Sequence, residues 1–263
     1  MDGTIYKGGT LFATTDPFLR RLRELEIGYT FLTNNASKSV DDYLAHLRDF
    51  GIPATVDQLY TSAQATIEFL REKWPAARRL FVLGTPSMCQ QFQAAGFVLL
   101  PDSPHEVPDA IVVGFDNTLT YTRLCRAAWW IKQGKPWFAT NPDRVCPTDQ
   151  PTTLVDCGSI CAALEATTGR APNAVLGKPD PAMIRGILQR HALAPENLAM
   201  VGDRLYTDIV MAHRAGVLGV LVLTGEATAA EAAVFSPAPD LVVSGLEELG
   251  NYFSAARREV VSR

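Results

Sequence analysis

The sequence predicts an α/β fold: a doubly wound, Rossmann-like parallel-sheet core with an inserted α/β cap domain. Three observations predict it. Short apolar runs alternate with amphipathic stretches along the chain, the βαβ rhythm of a parallel sheet. Several of these runs end in polar or acidic residues, where open α/β sheets place their ligands. The middle block, residues 76–172, repeats the alternation on its own and so reads as a domain inserted into another. The core is then 1–75 plus 173–263, and the cap is 76–172.

Asp16-Pro17 begins a helix that runs to Leu25, with Asp as cap and Pro in the first turn. The run from Ile27 to Thr33 reads as a buried strand. Ser39 opens a helix through Phe50, which Gly51 stops. A helix spans about Ser62 to Lys73. Strands follow at 79–84, 97–100, 110–114 and 136–140. A helix between Tyr121 and Gln133 carries Trp129 and Trp130, and a further helix begins at Cys157. After Gly177 come a helix at 181–191, a strand at 198–203, a helix at 208–215, and strands at 219–223 and 240–243.

Composition narrows the function classes. At 263 residues, 47% hydrophobic and 20% charged, the chain suits a globular protein with a substantial core. A net charge of -4 argues against a broad nucleic-acid-binding surface, which needs clustered Lys and Arg. No apolar run is long enough to span a bilayer, and the N-terminus is not signal-like. Cys89, Cys125, Cys146, Cys157 and Cys161 are scattered, without the paired Cys-x-x-Cys spacing of a zinc site. Five reduced thiols suggest a cytoplasmic location.

Four short segments carry candidate chemistry. Asp203 ends an apolar strand and Asp208 follows at five residues. Two acidic groups so placed suit a hard cation such as Mg²⁺; they equally suit a turn and a helix cap. Thr33-Asn34-Asn35 lies between a strand and a helix, either as a phosphate cradle or as an ordinary capped loop. Lys178, in Gly177-Lys178-Pro179, has the charge to neutralise a phosphate or a carboxylate, though most lysines are solvated. Asp2-Gly3-Thr4 alone is a common turn sequence.

Taken in order, Asp-Gly-Thr, Thr-Asn-Asn, Gly-Lys-Pro and Gly-Asp-Arg-x-x-Thr-Asp resemble the motifs of the haloacid dehalogenase-like hydrolase superfamily. The resemblance is to subfamily IIA, which includes NagD, nitrophenylphosphatase, phosphoglycolate phosphatase and pyridoxal phosphatase. Ala139-Thr140-Asn141-Pro142-Asp143 in the insertion fits the same group. The resemblance implies a Mg²⁺-dependent phosphatase working through an aspartyl-phosphate intermediate on a small phosphorylated metabolite. It implies Asp2 as general acid and base, with its carbonyl on the metal. Asp203 becomes a metal ligand, and Asp208 supports the metal. Thr33, Asn34 and Asn35 bind the phosphoryl oxygens, and Lys178 holds the phosphate and the nucleophile together. Asn141, Asp143 and Cys146 become specificity candidates on the cap.

The resemblance also implies a departure at the front. The signature's first Asp, the nucleophile, falls one residue before Met1, at the end of an apolar strand that is usually central. A missing central strand leaves buried main-chain groups unpaired, at about 1–3 kcal/mol each. The expectation is a native start roughly 5–15 residues earlier, enough for one strand. The rival expectation is a phosphoester- or metal-binding relic without turnover. A non-enzymatic sensor or binding domain also explains the fold and Asp203, but not the insertion or Lys178. The cap offers no motif that selects a substrate. Trp129 and Trp130 are either core residues or part of a homodimer surface on the cap.

Overall fold

The structure is a computed structural model and describes residues 1–146 and 151–261. A small hairpin comes first, β1 (Tyr6–Lys7) with β2 (Thr10–Leu11), followed by α1 (Thr15–Glu24). Asp16 lies inside the first turn of α1 and pairs with Arg20, so Thr14 takes the cap position instead. Phe18, Leu19 and Leu22 recur at helical spacing and form the buried face of α1.

The strand expected over 27–33 is shorter: β3 covers only Phe31–Thr33. Its ladder partner among the described residues is β4 (Leu59–Thr61), which the sequence reading did not identify. Between them, α2 (Val40–Asp49) starts at a capping box: Ser39 Oγ accepts from Asp42 N–H, and Asp42 accepts in return from Ser39 N–H. α3 (Ser62–Lys73) starts the same way from Thr61 and Gln64.

The middle of the chain builds its own parallel sheet. Its strands are β5 (Arg79–Leu83), β6 (Val98–Leu99), β7 (Ala110–Val113), β8 (Trp137–Ala139) and β11 (Ala174–Val175), in the order β11-β8-β7-β5-β6. Around it lie α4 (Pro86–Ala94), α5 (Tyr121–Lys132) and α6 (Cys157–Thr168). A short antiparallel pair, β9 (Val145–Cys146) with β10 (Leu154–Val155), precedes α6. The sheet runs to Val175, past residue 172, because Ala174 and Val175 pair with Phe138 and Ala139. Both faces are apolar. Leu80, Val82 and Val112 join one cluster, while Phe81, Leu83, Ile111 and Val113 join the other. Trp130 is buried in the second cluster. Its neighbour Trp129 is exposed, with Arg126 over its ring.

The rest of the chain returns to the first part. α7 (Ala182–His191) leads to β12 (Ala199–Gly202), α8 (Val210–Ala215), β13 (Leu218–Val222), α9 (Ala229–Val234), β14 (Leu241–Val243) and α10 (Leu246–Val261). β12, β13 and β14 form a parallel sheet in that order. The helix expected from Asp208 begins at Val210, because residues 205–209 make a wider π-type turn first. Phe31, Val220 and Val222 pack towards α1, α2 and α10, while Leu32 and Met200 pack towards α7 and α8. The core is therefore covered on both faces, as a doubly wound sheet requires.

β3 and β12 do not pair with each other. Among the described residues β3 has only β4 as partner, and β12 has only β13. A groove of about 810 Å³ lies between them. Phe18, Leu22 and Phe253 line it from one helix layer, and Ile184 and Ile187 line it from the other. No helix among the described residues is long and apolar enough to cross a membrane.

Candidate active site

Three segments meet at the C-terminal ends of β3 and β12: the 2–4 turn, the 33–39 loop and the 177–180 loop. Asp203 follows β12 directly and is buried. Two glycines make room for its carboxylate. A Cβ on Gly3 would lie 2.2 Å from Asp203 Oδ2, and one on Gly225 would lie 2.1 Å away. Gly3 also has φ +74°, which a side chain would strain. Glu226 N–H donates to Asp203 Oδ2 at 3.0 Å. Burial, and then the nearby Asp208 charge, hold the Asp203 carboxyl above the usual carboxylate range, against the pull of that N–H.

Asp208 is 2% exposed at its side chain and pairs with Lys178 Nζ at 2.7 Å. Its other oxygen accepts from Arg204 N–H at 3.1 Å. A buried ion pair survives only when its remaining valences are satisfied, and this carboxylate has a partner on each oxygen. Gly202 permits the approach: a Cβ there would sit 2.3 Å from Asp208 Cγ.

The 33–39 loop is held from several sides. Thr33 Oγ1 accepts from Asn35 N–H, and Asn35 Oδ1 accepts from Ser37 N–H. Ser62 Oγ donates to Asn34 O, Tyr43 Oη to Asn35 O, and Thr85 Oγ1 to Ser37 O. The Asn34 side chain is buried and turned to protein. Its Oδ1 accepts from Lys178 N–H at 2.7 Å, and its Nδ2 donates to Lys178 O at 3.1 Å.

The cap reaches this loop. Asp143 Oδ2 accepts from Asn34 Nδ2 at 3.0 Å and from Asn141 Nδ2 at 3.1 Å. Cys146 Sγ lies 3.6 Å from Asn35 Nδ2. Burial, then the Asp156, Asp143 and Asp2 charges, push the Cys146 thiol up to about 11, so it stays protonated at neutral pH. Asp2 is exposed and close enough for its charge to act on Cys146 and on Tyr6. Thus all ten sequence-predicted residues fall around one region: Asp2, Thr33, Asn34, Asn35, Asn141, Asp143, Cys146, Lys178, Asp203 and Asp208.

The sequence reading missed Asp156 and the Gly225-Glu226 corner. Asp156 is the N-cap of α6, where its carboxylate accepts from Cys157 N–H. Burial raises its pKa to about 6, with Asp143 adding to the shift and the Cys157 N–H and Asn141 opposing it. An Asp directly before a predicted helix at Cys157 was the available signal. Gly225 and Glu226 follow an apolar strand with no distinguishing pattern.

Among the described residues no three Asp, Glu, His or Cys side chains form a metal-holding group. The donors present are hard oxygens. Asp203 is a buried carboxylate whose charge is only partly offset, whereas Asp208 is committed to Lys178. That set fits a small hard cation that keeps several waters, as Mg²⁺ does. It does not fit a soft or thiolate-bound metal.

Comparison with known proteins gives the family. Residues 1–98 match a family model described as haloacid dehalogenase-like hydrolase, and residues 175–249 match a second one of the same kind. An acid sugar phosphatase of Staphylococcus saprophyticus is 32% identical over 249 residues, covering 95% of this chain and 94% of that protein. The crystal structure of a 4-nitrophenylphosphatase from Thermotoga maritima superposes with TM-score 0.89 at 39% identity, covering 95% and 94% of the two chains. A glycerol phosphate phosphatase from Mycobacterium tuberculosis, solved in complex with magnesium, gives TM-score 0.87 at 33% identity, covering 95% of this chain and 74% of that one.

Proposed function

Because the chain belongs to the haloacid dehalogenase-like hydrolases, of the NagD and nitrophenylphosphatase type, we propose that it is a Mg²⁺-dependent phosphatase of a small phosphate monoester. The observation that carries this reading is the convergence of Lys178, Asp203 and Asp208 at the strand ends. A half-buried ammonium there sits 2.7 Å from the Asp208 carboxylate, and the Asp208 charge acts in turn on the buried Asp203 carboxylate. Such a site suits a ligand that brings an anion and a divalent cation together. The names of the relatives, an acid sugar phosphatase and a glycerol phosphate phosphatase, support a small phosphorylated metabolite as substrate.

In this reading Asp203 and the Asp2 carbonyl hold the metal, and Asp208 keeps Lys178 in place. When bound, Mg²⁺ supplies charge neutralisation and a template for the phosphoryl group. Lys178 and the Thr33 hydroxyl bind phosphoryl oxygens and fix the angle of attack. A carboxylate oxygen forms a bond to phosphorus as the ester P–O bond breaks, and Asp2 protonates the leaving oxygen. Asp2 then takes a proton from water, whose oxygen attacks the aspartyl phosphate and frees inorganic phosphate. The cap residues Asn141, Asp143 and Cys146 face the leaving-group side and exclude bulk water.

The attacking carboxylate, in this proposal, sits two positions before Asp2, at the end of a strand lying between β3 and β12. The apolar groove there supports it, as does Met1 N, which lies 3.4 Å from Leu32 O on the open side of β3. Without such a residue, the same site binds a phosphoester or a metal and does not turn over. The test compares residues 1–263 with a form carrying an apolar strand ended by Asp before Met1. Mg²⁺-dependent release of nitrophenol from nitrophenyl phosphate by the extended form alone supports the full reading. Equal rates from both forms would remove that nucleophile from the mechanism. No release from either leaves the binding reading in its place.

A further inference from the structure

We propose that Asn34 is a positioning residue that fixes the main chain of Lys178 and couples it to the docked cap, and that it is not a ligand of phosphate. A primary amide has two N–H donors and one acceptor oxygen. Here both donors are used, and the oxygen is engaged as well. Oδ1 accepts from Lys178 N–H at 2.7 Å, Nδ2 donates to Lys178 O at 3.1 Å, and Nδ2 donates to Asp143 Oδ2 at 3.0 Å. The side chain is buried, so no donor is left over for a phosphoryl oxygen.

The first two bonds engage the N–H and C=O of one residue. They hold both dihedrals of Lys178 at once, and with them the direction in which its side chain leaves the backbone. That direction places Nζ 2.7 Å from Asp208 Oδ1. The third bond comes from the cap. Asp143 lies just beyond β8 and is itself held by Asn141 Nδ2 at 3.1 Å. Gly177 shows how tightly the three segments meet. A Cβ there would lie 2.8 Å from Asn34 Oδ1, 2.8 Å from Asn141 Cβ and 2.7 Å from Thr140 O. The lysine loop, the 33–39 loop and the cap strand end therefore share one contact point, with the Asn34 amide at its centre. Undocking the cap loop frees one side of that amide, and the lysine backbone loosens with it.

The inference rests on the reading of Lys178 as the phosphate-facing cation, but its test needs no turnover. Amide hydrogen exchange is measured residue by residue in residues 1–263. Asn34→Ala speeds exchange of the Lys178 N–H by about five-fold or more, the net worth of one hydrogen bond. Asp143→Ala, with Asn34 intact, speeds the same amide by at least two-fold, although Asp143 does not touch Lys178. The double variant is no faster than Asn34→Ala alone. Val220 and Leu221 N–H groups in β13 report that the core stays folded. Where Asn34→Ala disturbs them, Asn34→Asp replaces it. That variant keeps an oxygen for Lys178 N–H but sets a carboxylate oxygen against Lys178 O and Asp143 Oδ2, so in that background Asp143→Ala no longer speeds the Lys178 amide. An unchanged Lys178 amide in Asp143→Ala would overturn the coupling. An unchanged amide in Asn34→Ala, or fully additive effects in the double variant, would overturn the positioning role.

Discussion

Replacing Asp156 by Asn isolates the cost of one buried charge in the cap. Burial pushes this carboxyl from 3.8 to about 6, with Asp143 adding repulsion. The native state therefore binds its proton more tightly than the unfolded chain does. A carboxyl raised in this way costs stability when ionised. The cost is absent below the unfolded pKa near 3.8, grows between about pH 4 and 6, and is complete above that. At about 1.4 kcal/mol per pH unit of difference, the full cost is about 3 kcal/mol. Asn caps a helix as well as Asp does, so the bond to Cys157 N–H has a replacement acceptor. Urea unfolding of both proteins at pH 4 and pH 8 reads the effect. The stability difference between Asp156→Asn and the parent should move by about 3 kcal/mol in favour of Asn as pH rises. A difference that stays within about 0.5 kcal/mol across this range, the scatter of neutral substitutions, would refute the reasoning.

Three further outcomes follow from the site. Lys178→Met strands the buried Asp208 carboxylate and should cost about 3–5 kcal/mol, most of it recovered in the double variant Lys178→Met with Asp208→Asn; thermal unfolding checks both. Gly225→Ala drives a methyl group to 2.1 Å from Asp203 Oδ2, so it should cost about 1–3 kcal/mol and weaken Mg²⁺ binding by calorimetry. Mg²⁺ should raise the melting temperature at pH 8 more than at pH 5, because protons compete for the raised Asp203 carboxyl; equal shifts at both pH values would argue against Asp203 as the ligand.

Much of this molecule was legible in the sequence, and the failures have local causes. Apolar periodicity located the middle sheet strands because they are buried on both faces. It overran β3, where residues 27–30 are apolar enough for a strand but find no ladder partner among the described residues. It missed β4 because Leu59–Thr61 is three residues long and its last residue also caps α3. Thr33, Lys178 and Asp203 could be singled out because each ends or follows an apolar strand, where chain direction brings side chains towards a shared edge; Asp2, Asn141, Asp143 and Cys146 gained their roles only through the family resemblance. The partners of Asn34 could not be read. They lie 109 and 144 residues away, and an Asn that binds main chain looks the same in sequence as one that binds a ligand.

Gly3 and Gly225 tie two distant parts of the chain to one carboxylate. A Cβ on either would lie within 2.2 Å of Asp203 Oδ2, and Thr224 Oγ1 donates to Gly3 O at 2.7 Å. The turn before β1 and the loop after β13 are therefore fitted to each other through Asp203. A side chain gained on one cannot be absorbed by a change in the other, because both press on the same oxygen. Variation at these two positions is thus locked together, and a single buried acid holds both to glycine.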